Sequence, residues 1–150
     1  MAGTYANLLY HLVFSTKQRL PCLNSSWREE LHRYLGGIIK GEGGLPIQIG
    51  GVADHVHLLI KLKPTIVIPD LLRQLKANSS KWINATHGGA GKFHWQDGYA
   101  IFSVSQSNAD IVGKYILSQP EHHREIAYQE ELLLLLKKHQ VDYDERYLWE

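Results

Sequence analysis

Two histidines at the start of an apolar segment are the residues whose types and spacing point most directly to chemistry. His55 and His57 stand in DHVHLLIKL, residues 54–62, with Val56 between them. Because side chains alternate between the two faces of a β-strand, both imidazoles are predicted on one face, about 6.6 Å apart. Two neutral imidazoles at this spacing can converge on one metal ion or one phosphate. The chain contains nine histidines, so the pair is also compatible with two solvated residues near a strand end.

A tyrosine and a glutamine one helical turn apart form a second candidate pair. Tyr115 and Gln119 lie in VGKYILSQP, residues 112–120, and positions i and i+4 of a helix share one face. The amide oxygen of Gln119 can bind a metal ion, and the phenol of Tyr115 can act as a nucleophile once it is polarised or deprotonated. Each residue also has an ordinary interpretation, as an interfacial tyrosine and as a glutamine that faces water.

The spacing of apolar residues predicts the elements that would position these side chains. Strands are predicted at 5–14, 47–52, 54–62 and 99–105, and helices at 26–39, 69–84, 108–119 and 121–139. Ser26 and Glu29 have the spacing of a capping box at the start of the first helix. Pro120 is expected to end or kink the third helix, because the residue before a proline disfavours the α region.

This order of elements predicts an α+β fold. The sequence strand, helix, strand, strand, helix, strand is the ferredoxin-like (RRM-like) β-α-β-β-α-β arrangement, an antiparallel sheet with helices on one face, here followed by additional helices. If Val56 and the apolar residues in phase with it face the helices, His55 and His57 lie on the other face of a central strand. We expect that face to be free of helices.

Length and composition indicate one globular domain spanning residues 1–150. The hydrophobic fraction is 44% and the charged fraction is 21%, as in ordinary globular proteins. The single cysteine, Cys22, excludes an intrachain disulfide and is typical of a reducing compartment. No segment has the roughly 20 apolar residues of a membrane span, so we expect a soluble cytoplasmic protein without a membrane partner.

The charge is unevenly distributed along the chain. Residues 1–99 carry 11 Lys and Arg against 6 Asp and Glu, whereas residues 100–150 carry 5 against 9. A basic body with an acidic C-terminal part can bind a polyanion without a large net charge. Candidate contacts to a nucleic-acid backbone are the basic residues Lys17, Arg19, Arg73, Lys76 and Lys81, although each has plain solvation as its alternative.

Several dispersed motifs together resemble one family. These are DHVHLLIKLKP, LKANSSKWIN, FHWQDGYAIFSVS and QPEHH, within a similarity that extends from HLVFSTKQR to DERYLW. In this order they resemble the single-tyrosine HUH transposases of the insertion sequence 200/605 family, of the transposase A type. The resemblance implies a fold of the HUH endonuclease type.

The resemblance also implies a mechanism. His55, His57 and Gln119 would bind a divalent metal, Mg²⁺ or Mn²⁺, and Tyr115 would attack a DNA phosphate to leave a 5′-phosphotyrosine and a free 3′-OH. The substrate would be single-stranded DNA with hairpins at the element ends. Family members are homodimers whose active sites can be completed in trans, and residues 105–108 (SQSN) are a candidate hinge for that exchange.

Residues near these candidates leave further questions open. Asp54 can orient the imidazole of His55 only if the strand begins after Asp54. Pro120 can displace the Gln119 amide from a ligand position. A rival site built from His122 and His123 is possible, although Pro120 is expected to turn these two residues away from the site. No further carboxylate ligand is identified at a convincing spacing.

Three alternatives to a mobile transposase remain open from the sequence. A host-retained relative would act on chromosomal repeat hairpins with the same chemistry. A non-catalytic ferredoxin-like nucleic-acid-binding module would require exposed aromatic pairs on the central strands. A metallohydrolase using His-x-His would need no tyrosine nucleophile.

Overall fold

Four strands form one antiparallel sheet in the order β2-β3-β1-β4. A computed structural model describes residues 3–88, 92–124 and 126–149. The strands are β1 (Leu8–Ser15), β2 (Leu45–Gly51), β3 (His55–Leu62) and β4 (Ala100–Val104), and the helices are α1 (Arg28–Gly41), α2 (Ile68–Thr86), α3 (Ala109–Leu117), α4 (Gln119–His122) and α5 (Tyr128–Lys138). This order confirms the predicted β-α-β-β-α-β arrangement with additional C-terminal helices.

The main core lies between the sheet and helices α1 and α2. Alternate residues of β1 and β3 point to this side and pack on the apolar stripes of both helices. The strands contribute Leu12, Phe14, Val56, Leu58 and Ile60, and the helices contribute Leu31, Leu35, Leu71 and Leu75. All of these side chains are buried, and each burial stabilises the fold by about 1.5–3 kcal/mol. The central strands β1 and β3 are therefore held firmly from this side.

The opposite face of the sheet is also covered, which corrects the expectation of a free face. Helix α5 packs Tyr128 and Leu132 on Phe102, and α3 packs Ile116 on Leu59. The physical reason is that the other phase of the central strands also carries apolar side chains, Leu59 among them, beside the histidines, and these need a cover. His55 and His57 consequently lie beneath the C-terminal helices and are fully buried.

The helix ends differ from the prediction in three places. Helix α1 begins at Arg28 and has no side-chain cap; instead the Asn24 side chain accepts a hydrogen bond from the backbone N–H of Ser26, which replaces the expected capping box. Helix α3 ends at Leu117, and Pro120 lies in the first turn of α4, where its missing N–H costs nothing. The predicted helix 121–139 divides into α4 and α5, and Glu125 within it lies outside the described residues.

No helix in the described parts of the chain combines the length and the apolar character needed to cross a membrane.

Gly50 of β2 sets the distance between the sheet and α3. A Cβ atom at this position would lie 2.5 Å from the carbonyl oxygen of Ile116, which is far inside van der Waals contact. Because Ile116 follows Tyr115 directly, the absence of a side chain at Gly50 lets α3 bring Tyr115 close to β3.

We predict that Gly50→Ala lowers the free energy of unfolding by about 1–3 kcal/mol through overpacking. Gly37→Ala is the control, since a Cβ there meets nothing within 4 Å and alanine favours a helix over glycine by up to about 1 kcal/mol. Urea denaturation of both variants checks the prediction. Equal stability of the two would contradict the close approach of α3 at Gly50.

Candidate active site

The two histidines of β3 converge in the middle of the sheet. β3 pairs with β1 on one side and with β2 on the other, so the backbone of His55 and His57 is fixed from both directions. Both side chains point to the face covered by α3 and α5, and their ring centroids lie 5.0 Å apart. The predicted common face of the pair is confirmed.

Tyr115 and Gln119 meet these histidines from the helical layer. The Tyr115 ring centroid lies 5.8 Å from that of His57. Gln119 is the first residue of α4 and is fully buried, with Oε1 3.2 Å from Nε2 of His55. The expectation that Pro120 can displace the amide is therefore wrong: the break between α3 and α4 keeps Gln119 directed at the histidines.

A buried carboxylate that the sequence reasoning missed lies at the centre of this group. Glu131 of α5 is 1% exposed, and its Oε1 lies 3.0 Å from Nε2 of His57 and 3.2 Å from Nε2 of His55. Its Oε2 accepts hydrogen bonds from the Tyr115 hydroxyl and, at 2.9 Å, from the Gln119 amide. The expectation of no further carboxylate near the histidines is wrong. A signal was present in the sequence, because Glu131 falls on the apolar stripe of α5 between Tyr128 and Leu132.

The turn after α4 returns the chain to the site. His123 lies with Nε2 3.0 Å from Glu131 Oε1, and His122 lies with Nε2 3.5 Å from the Tyr115 hydroxyl. The prediction that Pro120 turns both histidines away is therefore wrong. Ligand atoms of His55, His57, His123 and Glu131 all lie within 4.8 Å of one another, as in groups that can hold a metal ion.

Each strand histidine has a partner on its outer nitrogen. β3 begins at His55, which leaves Asp54 outside the strand with its carboxylate 2.6 Å from Nδ1 of His55; this confirms the condition set for Asp54. His11 of β1 lies with Nε2 2.7 Å from Nδ1 of His57. Such outer partners fix the orientation and tautomer of imidazoles that bind metals through the other nitrogen.

Burial and hydrogen bonding determine the charges in this cluster. Burial lowers the pKa of His57 to about 4 and that of His11 to about 3. Burial acts in the same direction on His55, but its hydrogen bonds to Asp54 and Glu131 raise its pKa overall. For Glu131, burial opposes ionisation, yet hydrogen bonds from the surrounding histidines hold its pKa far below the usual range.

These charges assign the donors. The ionised Glu131 carboxylate can only accept, so the neutral His57 donates from Nε2 and accepts at Nδ1 from His11. Burial, followed by the neighbouring Glu131 carboxylate, raises the pKa of Tyr115. The phenol is therefore protonated at neutral pH and donates to Glu131.

A cavity opens between α3 and α5 beside the nucleophile candidate. It has a volume of about 410 Å³, and its lining includes His11, Tyr115, His122 and Glu131. This cavity gives solvent and solutes a route to the Tyr115 hydroxyl.

The five basic residues nominated for nucleic-acid contact do not form one equivalent set. The Lys76 ammonium group donates to the backbone carbonyls of Gln96, Asp97 and Gly98, and burial lowers its pKa to about 8. Lys76 thus holds the loop before β4, and its nomination as a contact to a nucleic-acid backbone stays a prediction.

The remaining basic residues stay predictions. Arg73 forms an exposed ion pair with Asp70. Lys17 and Lys81 are exposed, and Arg19 is half-buried with its guanidinium 5.3 Å from the Trp149 ring centroid.

The family model described as "Transposase IS200 like" matches residues 4–119. This match spans most of the chain and includes His55, His57, Tyr115 and Gln119. The chain belongs to the IS200-like transposase family. The resemblance inferred from the motifs is confirmed, and with it the assignment of the protein as an enzyme of the transposase class.

Named relatives agree with this assignment. The transposase is 30% identical over 122 residues to the ISDra2 transposase TnpA of Deinococcus radiodurans, a match that covers 78% of this chain and 87% of the relative. It is 25% identical over 129 residues to the transposase for insertion sequence element IS200 of Salmonella typhimurium, with 83% and 84% covered.

Solved structures share the fold. A crystal structure described as a transposase from Deinococcus radiodurans R1 superposes with a TM-score of 0.64 at 27% identity, covering 79% of this chain and 95% of that one. A REP-associated tyrosine transposase bound to a REP hairpin superposes with a TM-score of 0.61 at 13% identity, covering 82% and 73%. The second likeness is one of fold alone. The expected fold of the HUH transposases is confirmed.

We predict that Lys76→Met lowers the free energy of unfolding by about 1.5–3 kcal/mol, since it removes charge-assisted hydrogen bonds from the loop carbonyls. Lys81→Met is the matched control on the exposed side of the same helix and should change stability by less than about 0.5 kcal/mol. Urea denaturation measures both. An unchanged stability of Lys76→Met would show that the ammonium group does not hold this loop.

Proposed function

We propose that this transposase cleaves and rejoins single-stranded DNA with Tyr115 as the nucleophile and with a divalent metal bound by His55, His57 and Gln119. The observation that carries the proposal is the convergence of two imidazole Nε2 atoms and one amide oxygen beside the Tyr115 hydroxyl. These four residues come from three separate elements, so their meeting is a property of the fold and not of sequence proximity.

The residues present fit a divalent metal. The two imidazoles and the amide oxygen form a mixed nitrogen and oxygen set, which suits Mn²⁺ and tolerates Mg²⁺. Asp54 accepts a hydrogen bond from Nδ1 of His55, as in known metal centres. With a metal on its Nε2, the His57 ring would carry its proton on Nδ1 and donate to His11. When bound, the metal would act as a Lewis acid on the scissile phosphate.

The chain's own residues account for the covalent step. The Tyr115 oxygen attacks phosphorus and the bond from phosphorus to the 3′ oxygen breaks, which leaves a 5′-phosphotyrosine and a 3′-OH. The hydrogen bond to Glu131 Oε2 orients the Tyr115 hydroxyl, its proton passes to solvent water because Glu131 stays ionised, and the leaving 3′ oxygen takes a proton from water. Attack by another 3′-OH on the phosphotyrosine reverses these steps and reseals DNA.

A hairpin-bearing DNA strand is the proposed substrate. The REP-associated transposase of similar fold was solved with a REP hairpin, which supports this choice. Lys17, Arg19, Arg73, Lys76 and Lys81 remain the proposed contacts to its backbone. Mobility of an element and host-retained action on chromosomal repeats share this chemistry.

A homodimer with active sites completed in trans stays a proposal. Within this single chain, Tyr115 already lies beside His57 of the same chain. Exchange of α3 between two protomers would require residues 105–108 to change direction, and they now form a short helical turn.

The structure argues against one alternative function and supports the other. A nucleic-acid-binding module needs exposed aromatics on β1 and β3, but α3 and α5 cover that face, which argues against it. A metallohydrolase is favoured by Glu131, because this residue supplies the carboxylate ligand that the sequence analysis did not identify. Hydrolysis by water would survive the loss of the Tyr115 hydroxyl, whereas a covalent mechanism would not.

We predict a covalent protein–DNA adduct that depends on Tyr115. End-labelled single-stranded oligonucleotides tiling the DNA that flanks the gene are incubated with Mn²⁺ or Mg²⁺ and separated on a denaturing gel. The adduct should disappear with EDTA and with Tyr115→Phe, while Tyr147→Phe, at an exposed position, should retain it. An adduct that survives Tyr115→Phe would show that Tyr115 is not the nucleophile. Metal-dependent cleavage without an adduct would favour the metallohydrolase.

We predict that Asp54→Asn weakens Mn²⁺ binding about 10–100-fold, because it removes the carboxylate that orients His55. Isothermal titration calorimetry with MnCl₂ in the absence of DNA measures this effect. Asp142→Asn, at an exposed position, serves as the control. Equal Mn²⁺ affinities of the two variants would show that Asp54 does not support metal binding.

A further inference from the structure

Helix α5 introduces Glu131 into the site from beyond the family match, which ends at Gln119. We propose that Glu131 is an additional ligand of the metal bound by His55, His57 and Gln119. This inference rests on the proposed function, since it concerns the same ion. It adds to that function a carboxylate supplied by the C-terminal segment.

The distances around Glu131 are those between neighbouring metal ligands. Ligands about 2.1 Å from an octahedral ion lie about 3.0 Å from their neighbours in the shell. Glu131 Oε1 lies 3.2 Å and 3.0 Å from Nε2 of His55 and His57, and His55 Nε2 lies 3.2 Å from Gln119 Oε1. Three protein elements thus present their ligand atoms at the spacing of one coordination shell.

Charge and ligand type support the same assignment. Two neutral imidazoles and an amide bring no negative charge to a dication. Glu131 brings one, and hard cations such as Mg²⁺ and Mn²⁺ prefer carboxylate oxygen. Its other oxygen continues to accept the Tyr115 hydrogen bond, so one carboxylate would connect the ion and the nucleophile.

The position of Glu131 does not depend on the carboxylate alone. Tyr128, Leu132 and Leu136 anchor the same helix on Phe102 and Val13. Glu131→Gln keeps the size of the side chain and its ability to accept a hydrogen bond while it removes the charge. We therefore expect this variant to fold, with circular dichroism as the check.

The alternative arrangement gives the opposite result. Glu131 Oε1 lies among three imidazole nitrogens, the third being that of His123, so the carboxylate could instead compete with the ion for their centre. A ligand strengthens metal binding, whereas a competitor weakens it. The sign of the change in affinity therefore distinguishes the two.

The test is calorimetric titration of the full-length chain with MnCl₂, without DNA. Glu131→Gln should bind Mn²⁺ about tenfold or more weakly than the original chain. The matched control Glu130→Gln, which alters the exposed neighbour on α5, should bind as the original does. Unchanged or tighter binding by Glu131→Gln overturns the inference and leaves the proposed function intact. If the original chain gives no heat of Mn²⁺ binding, the metal centre itself is overturned.

A second measurement on the original chain keeps the inference testable if Glu131→Gln fails to fold. The infrared difference spectrum between the Mn²⁺-bound and metal-free protein should show a shift of a carboxylate stretching band. Mn²⁺ binding by calorimetry with no change in any carboxylate band would overturn the assignment of Glu131.

Discussion

Burial of β3 on both faces is the constraint on which the site depends. A strand with only apolar residues could meet it by packing alone, but His55 and His57 bring ring nitrogens into a region without water access. Buried polar groups need hydrogen-bond partners or a metal ion. The C-terminal helices supply those partners, so the cover over the sheet and the chemistry of the site arise from one requirement.

The layers on either side of the sheet contribute differently to this arrangement. Helices α1 and α2 fix β1 and β3 through an apolar core and contribute no side chain to the cluster. On the other face, the close approach of α3 at Gly50 sets the distance of Tyr115 from the sheet, and the break before Pro120 directs Gln119 toward the histidines. Substitutions in α3, α4 and α5 therefore alter the geometry of the site, whereas substitutions in α1 and α2 alter mainly the stability of the fold.

Local patterns in the sequence were sufficient for the order of strands and helices along the chain, the shared face of His55 and His57, and the pairing of Tyr115 with Gln119. They were insufficient for Glu131, His11 and His123, because these residues enter the site through tertiary packing across large separations in sequence. The free sheet face was wrongly expected because one apolar phase of β3 was taken as the whole core. Leu59, in phase with the histidines, already indicated that this face is covered.

Covering the site also limits how a substrate can reach it. With α5 over the histidines, the cavity between α3 and α5 gives a phosphate a route to Tyr115. The hydroxyl of Tyr115 donates a hydrogen bond to Glu131 on α5, so movement of this helix would free the proposed nucleophile and withdraw the carboxylate together. Access to the site and the hydrogen-bond acceptor of the Tyr115 hydroxyl are therefore properties of the same helix. Approach through the cavity keeps the hydrogen bond between Tyr115 and Glu131 in place, which makes it the route consistent with the proposed role of Glu131 as a metal ligand.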